Sequence, residues 1–204
     1  MGRFKIKAKH SRRAGVALTD KHAKILQKRN YPPGQHGPGQ GGRRRLSGYG
    51  VQLLEKQKAR WMYGLREGQM RGYFEKSKQF EGDTGERLLQ LLELRLDNVV
   101  YRMGFAKSRA HARQLVNHGH FLVNGKRMDI PSYTMKKNDA ITLKPSSANI
   151  GPFKEIATQL GKSMIMDWFA IDPKTAKGTV LGLPTKAVIN PVFDLTLVVE
   201  FYSR

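Results

Sequence analysis

The sequence predicts an α+β protein: an all-helical N-terminal domain with a basic extension, then a helix-turn-helix and a small antiparallel sheet. Three observations carry this. From residue 47 to residue 116, apolar residues recur at three- and four-residue spacing, the period of one helix face. Asn124-Gly125, after Phe121-Leu122-Val123, is the dipeptide that two-residue hairpins favour. Beyond Leu143, runs rich in β-branched and aromatic residues alternate with turn-rich stretches such as DPKTAKG.

Residues 1–46 read as the extension. Residues 1–50 carry 13 basic residues and one acid, Asp20, and Thr19 to Lys28 suits a short helix. Then comes NYPPGQHGPGQGGRRRLSGYG, too heavily punctuated by Gly and Pro for a long helix or strand. By itself this is a flexible basic tail. Tyr31, His36 and Tyr49 interleave with the basic residues, however, as in a segment that orders on RNA by stacking and phosphate contact. GPGQGG does not match a nucleotide-binding loop.

Residues 47–80 read as two helices. Val51, Leu54, Lys58 and Trp61-Met62 give the first its face, with Gln52, Lys56 and Arg60 off it. Gly64 marks a break, and Gly68 falls in the following turn. Arg66, Met70, Tyr73 and Phe74 begin the second helix. Asp83 with Glu86 three residues on is a capping-box pattern. It starts a helix whose Leu88, Leu89, Leu91 and Leu92, with Leu96 beyond, are core residues.

The stretch Arg95 to Asn124 organises the rest. Leu96, Val99, Val100 and Met103 share one helix face, leaving Arg95, Asn98 and Arg102 off it and available. Gly104 suits the left-handed residue past a helix end. Ser108 is placed to cap a second helix, in which Ala112, Leu115 and Val116 face the core and Arg109 and Arg113 form a basic ridge. His118-Gly119-His120 closes it before the strand and hairpin. A basic amphipathic pair of this kind is either a solvated surface or a nucleic-acid surface, and spacing alone does not choose.

After Leu143, Lys154 to Leu160 suits a short helix, while Ile165 to Ile171 and Thr179 to Leu183 suit strands. The tail NPVFDLTLVVEFYSR is a strand by composition, or a short helix capped by Asp194.

At 204 residues the chain has room for one or two domains and a real core, and 39% of it is apolar. No apolar run approaches the roughly 20 residues of a membrane span. With 37 basic residues against 16 acids, the formal net charge is +21, which points to a polyanion partner. Residues 1–80 hold 20 basic and 4 acidic residues, so the charge concentrates there. There are no cysteines, which excludes disulfides, thiolate metal sites and cysteine nucleophiles. The start MGRFKIKAKHSRR lacks the apolar segment of a secretory signal, and Ile6 breaks the myristoylation pattern.

Catalytic chemistry is not legible. LGKS, Leu160 to Ser163, ends like a phosphate-binding loop, but Ile156 stands where that loop needs glycine. His118 and His120 lack a nearby Cys or carboxylate and are better read as RNA contacts or a plain turn than as metal ligands. No Ser/His/Asp set is evident, and Asp97 suits helix capping or pairing with Arg. Trp61 and Trp168 read as core residues. No catalytic residue, metal site or cofactor is therefore assigned.

RLDNVVYRMGF, SRAHARQLV and FLVNGKRMDIPSY, followed by KKNDAITL, closely resemble the S-four RNA-binding domain. Where that family often has Glu, three residues after the capping Ser, this chain has His111, so half of a capping box is missing. PGQHG at Pro33 to Gly37, LSGYGVQLLEKQK and TGERLLQLLELRLDNVVYRMGF further resemble the S-four family of bacterial-type small-subunit ribosomal proteins. Gly48 stands where that family commonly has an acid, which passes the capping role to Ser47.

The resemblance implies a non-enzymatic protein that binds the five-prime domain of small-subunit rRNA early, nucleates assembly of the body and contributes to decoding accuracy. It implies ribosomal protein S-five and other small-subunit proteins as neighbours, mRNA nearby in the channel where it enters, and no membrane or small-molecule substrate. The setting is the small subunit in the cytoplasm, or an organelle matrix. Arg43, Arg44 and Arg45 are the candidates beside mRNA. Arg95, Asn98, Arg102, Lys107, Ser108, Arg109, Arg113, His118, His120, Asn124 and Lys126 form the candidate rRNA surface. Reversing Arg109 and Arg113 to Glu is expected to abolish rRNA binding without unfolding the protein. L-x-V-V-E-F-Y-S-R at the C-terminus favours a helix that packs back on the N-terminal helical domain. The expected domains are 1–46 (extension), 47–94 joined by 187–204 (helical), and an inserted 95–186 with its core at 95–144. An RNA-modifying enzyme would need a catalytic domain that residues 145–204 are too few to supply. A factor that recycles stalled large subunits would lack PGQHG and LSGYGVQL, and a membrane-surface protein would want aromatics on a basic helix face. Many members carry a zinc-binding cysteine cluster near the N-terminus, and this chain has none. Elemental analysis of purified protein is expected to find no stoichiometric zinc; one zinc per chain would overturn this.

Overall fold

The computed structural model describes residues 6–38, 46–153, 160 and 166–204. The chain divides into two compact units: Met1–Leu88 with Asn190–Arg204, and Leu89–Ile189.

The first unit is helical. α1 (Ala8–Ala14) ends at Gly15, whose φ of 71° places it in the left-handed region that closes helices. α2 (Asp20–Lys28) follows from Thr19. Ala14 and Leu18 pack on Trp61, with Ile6 and Val16 beside them. His10 stacks on Trp61 at 4.8 Å between ring centroids. Ser11 is fully buried: its Oγ lies 2.8 Å from His22 Nδ1 and accepts from Leu18 N–H at 3.2 Å. Arg12 donates to the carbonyls of Tyr31 and Pro32 and lies over the Tyr31 ring. The described part of the extension is thus packed on Trp61 and hydrogen-bonded within itself. Among the described residues no group of three or more His, Cys, Asp or Glu converges to hold a metal.

α3 (Gly48–Met62) is capped by Ser47, whose Oγ accepts from Gly50 N–H at 3.2 Å. Its buried side differs from the expected one. Gln52, Lys56, Ala59 and Trp61 are buried, while Val51 and Leu54 are only half-buried. The reason is the C-terminal helix α9 (Leu195–Tyr202; α8 is Lys186–Ile189, in the second unit), which packs against α3. Gln52 Nε2 donates to Glu200 at 2.7 Å. Lys56 Nζ meets Glu67 at 2.8 Å and lies 4.6 Å from the Phe201 ring centroid. Polar residues are buried here because each has a partner on a distant segment.

Gly64, with φ of 63°, turns the chain after α3. α4 (Glu67–Lys78) buries Met70 and Phe74, and Gly68 lies within its first turn rather than before it. Tyr202 stacks on Phe74 and donates its hydroxyl to Glu67 at 2.7 Å. Burial acts to raise the Glu67 carboxyl, but the bonds from Lys56 and Tyr202 outweigh it and hold it below its usual range. Burial and the bond to Glu67 push the Tyr202 phenol far up, so it stays a donor. Asp194 caps α9 by accepting from Thr196 N–H, and its own N–H donates to Glu55. The tail is therefore a helix.

α5 (Thr84–Glu93) starts at Asp83, which accepts from Gly85 N–H at 2.9 Å. Leu88, Leu89 and Leu92 are fully buried and Leu91 half-buried. The division between units falls inside this helix.

The second unit continues with α6 (Leu96–Arg102) and α7 (Arg109–Asn117), which pack together. An antiparallel sheet follows, with strand order β2-β1-β3-β5-β4. Its strands are β1 (Phe121–Val123), β2 (Lys126–Arg127), β3 (Ala140–Leu143), β4 (Phe169–Asp172) and β5 (Lys177–Val180). Asn124 and Gly125, both with positive φ, make the hairpin between β1 and β2. Against the expected Ile165 to Ile171 and Thr179 to Leu183, β4 starts later and runs to Asp172, and β5 starts earlier and stops at Val180; residue 165 lies outside the described residues. Trp168 precedes β4, buried, and its carbonyl accepts from Leu181 and Gly182 N–H, which ends β5. Of the expected helix at Lys154 to Leu160, residues 154–159 lie outside the described residues. The core joins the two helices to the sheet through Leu96, Val99, Met103, Val116, Phe121 and Ile141. Gly178 on β5 faces the Met103 thioether so closely that a Cβ there would collide with it. Among the described residues no helix is long and apolar enough to cross a membrane.

α1 and α2 carry a pH dependence. Burial holds His10 and His22 below the ordinary imidazole value, and neighbouring cations add to this at His10. The unfolded chain takes up protons near pH 6.5, so it binds more protons than the folded state there. Stability is therefore full above that pH and falls as pH drops below it. Thermal melts followed by Trp fluorescence are expected to show a falling midpoint between about pH 7 and about pH 5. A flat midpoint would mean that these histidines protonate freely in the fold.

Candidate nucleic-acid interface

The candidate surface is built on α5, α6 and α7, and its first feature is acidic. Glu93, the last residue of α5, is fully buried, and Asp97 in the first turn of α6 is 5% exposed. Arg102 forks onto Glu93: Nε to Oε2 and Nη2 to Oε1, both 2.8 Å. Asn98 Nδ2 donates to Glu93 Oε2 at 2.8 Å and to the Glu93 carbonyl at 2.9 Å. Asn98 Oδ1 accepts from Arg109 Nε at 2.7 Å, and Arg109 Nη2 stands 3.8 Å from Glu93. Arg95 forks onto Asp97 at 3.1 and 2.9 Å, with Arg113 at 3.8 Å from the same carboxylate. Each carboxylate thus takes one arginine through a bidentate fork, the strong kind, with a second guanidinium 3.8 Å away.

Backbone geometry encloses this cluster. Tyr133 and Pro131 carbonyls accept from Leu96 and Asp97 N–H, and Met135 N–H donates back to Leu94. The segment Pro131–Met135 straps the junction of α5 and α6 and satisfies amides that open a helix. It also covers the junction, and Arg95 is 1% exposed and Asn98 2%. The expectation that Arg95 and Asn98 stay available is corrected accordingly, while Arg102 is half-buried and keeps part of its side chain at the surface. All three lie off the apolar face, but acids from the same segment draw them inward.

Around this cluster sit groups that face solvent. Lys107 is exposed just before α7, and Ser108 caps that helix by accepting from His111 N–H at 3.2 Å. Arg109 lies over the Tyr101 ring at 4.7 Å, and Arg113 is half-buried one turn on. Lys126 is exposed on β2 and His118 at the end of α7. His120 is half-buried against Ser147 Oγ at 3.0 Å. Burial, then His118 and Lys144, hold His120 below its ordinary value. Burial and Lys107 do the same to His111. Near neutral pH both act as hydrogen-bonding groups rather than cations. Asn124 is exposed, but its amide is committed: Nδ2 donates to Asp139 and Oδ1 accepts from Ala140 N–H. Arg43, Arg44 and Arg45 lie outside the described residues.

Sequence reasoning missed Glu93, and it also passed over Arg127, Lys136 and Lys137, which are exposed in the same unit. Glu93 carries no local signal, because its partners lie 5, 9 and 16 residues away. Asp97 pairs with Arg95, the structural role expected of it. The paired acids also change what the charge-reversal test means. Glu at 109 and 113 would set new carboxylates beside Glu93 and Asp97, so that double variant strains the fold as well as any binding.

The arrangement offers oriented guanidinium groups and flanking lysines, suited to phosphate geometry rather than to base reading. Fold and sequence together place the chain in the S4-domain class: residues 94–141 match the S4 domain, and residues 4–93 match the ribosomal protein S4/S9 N-terminal domain. The relatives are similar over nearly their whole length. "Small ribosomal subunit protein uS4" of Roseiflexus castenholzii is 50% identical over 198 residues, 96% of each chain. Its counterparts in a Sulfurihydrogenibium species and in Geobacillus stearothermophilus are 49% and 48% identical over 196 residues. These cover 96% of this chain and 95% and 96% of the relatives. The chain belongs to the uS4 family of small ribosomal subunit proteins.

Asp97→Asn is expected to destabilise the second unit by about 3–5 kcal/mol, because it deprives a buried guanidinium of its bidentate carboxylate. Urea unfolding measures this. A loss below about 1 kcal/mol, the scale of an exposed ion pair, would show that the Arg95–Asp97 pair does not hold the junction.

Proposed function

We propose that this chain is a structural rRNA-binding protein of the small ribosomal subunit in the cytoplasm, and that it binds the five-prime domain of the rRNA early and nucleates assembly of the body. The observation that carries this is the arginine cluster of α6 and α7, fixed by internal acids and flanked by exposed Lys107 and Lys126. Rigid cations recognise a folded RNA junction by the spacing of its phosphates. Arg102, Arg109 and Arg113 take phosphates with the edges of their guanidinium groups, Lys107 and Lys126 as point charges, and His118 and His120 by hydrogen bonds. In this reading residues 95–186 are the RNA-binding domain. Residues 47–94 with 187–204 form the helical domain, and 1–46 form an extension that RNA orders further. The protein sits beside ribosomal protein S-five and other small-subunit proteins and contributes to decoding accuracy. Arg43, Arg44 and Arg45 lie near mRNA where it enters the subunit.

The test is a titration in near-physiological salt with excess tRNA, comparing the five-prime domain of small-subunit rRNA, large-subunit rRNA and phospholipid vesicles. Tight binding to the first alone is expected, and equal binding to both rRNAs would leave only general attraction between charges. Lys107→Glu with Lys126→Glu, both on exposed side chains, should weaken binding and flatten the log–log salt dependence by about two. An unchanged slope would remove these lysines from the interface.

A further inference from the structure

We propose that Glu93 is a positioning residue for RNA recognition: from within the protein it sets the planes of Arg102 and Arg109 and serves as their fixed counter-ion. This rests on the RNA-binding reading above.

Glu93 is fully buried and Asn98 is 2% exposed, so neither side chain can reach RNA directly. Each acts through arginines. Arg102 is held by two bonds to Glu93. Arg109 is held through a relay, Glu93 to Asn98 to Arg109 Nε, and lies against the Tyr101 ring. Two-point attachment fixes a planar guanidinium in a way that a single solvent contact does not. An exposed arginine must also surrender rotamer freedom when it binds, a cost already met where the side chain is held beforehand.

The charge effect points the same way. Residues 93–113 contain five basic residues and two acids, leaving a net charge of +3. An internal carboxylate lowers the attraction that any RNA feels, while the preset planes favour RNA whose phosphates match them. Glu93 therefore trades general affinity for selectivity.

The test uses the full chain as wild type, Glu93→Gln and Asn98→Ala, with folding checked by circular dichroism. Affinity for five-prime-domain rRNA and for tRNA is measured over a salt series. The arginine Nε–H resonances of the free protein are recorded by NMR. Wild type is expected to show protected Nε–H signals for Arg102 and Arg109. Glu93→Gln should lose both, bind the rRNA about tenfold more weakly, bind tRNA no less tightly, and steepen the log–log salt slope by about one. Asn98→Ala should lose the Arg109 signal and weaken rRNA binding with the slope and tRNA affinity unchanged, since no charge is removed. Should Glu93→Gln fail to fold, Asn98→Ala decides. A folded variant that keeps the wild-type ratio of rRNA to tRNA affinity overturns the proposal. So does survival of both arginine signals in both variants, whatever RNA does. A wild-type protein with no preference for the rRNA defeats the parent reading instead, and the NMR result still judges the geometry.

Discussion

Two buried carboxylates, Glu93 and Asp97, govern the second unit. Removing charges from water costs several kcal/mol per ion, and only good geometry repays it. Here Glu93 receives Arg102 and Asn98, and Asn98 passes the constraint to Arg109. Asp97 receives the fork of Arg95, with Arg113 close by. Because these groups come from the end of α5, from α6 and from α7, the network fixes those helices against each other more specifically than apolar packing would. Val99, Val100 and Val116 supply the general attraction, and the ion pairs select one arrangement.

The first unit meets the same demand. There too a cation is taken out of water and paired. Lys56 is buried, paired with Glu67 and covered by Phe201, and Tyr202 completes that group from the last turn of the chain. At the other end, Ser11 and His22 tie α1 to α2, and Arg12 gathers the carbonyls of Tyr31 and Pro32. These bonds hold α1, α2 and the segment after them together. In both units acids hold basic groups in place: Glu67 in the first, Glu93 and Asp97 in the second.

Local features were legible in the sequence because their causes are local. Ser47 and Ser108 cap the helices that they precede, Asn124-Gly125 turns the hairpin, and Leu88, Leu89, Leu92, Leu96, Val99 and Val100 are buried as their spacing requires. The buried side of α3 was not legible. Gln52 and Lys56 look like solvent residues until Glu200, Phe201 and Tyr202 are brought to them across about 140 positions. Arg95 and Asn98 were misjudged for the same reason, since their burial depends on the strap at Pro131–Met135.

The sequence by itself determined the helices, the hairpin, the excess of positive charge and the motifs of the family, because spacing, capping and composition act over a few residues. It placed Arg102, Arg109 and Arg113 within one short segment. Only the tertiary structure decided which of those cations are tethered and which face solvent. Ion pairs form between groups that meet in space, and a buried carboxylate chooses its partners by distance and not by order along the chain.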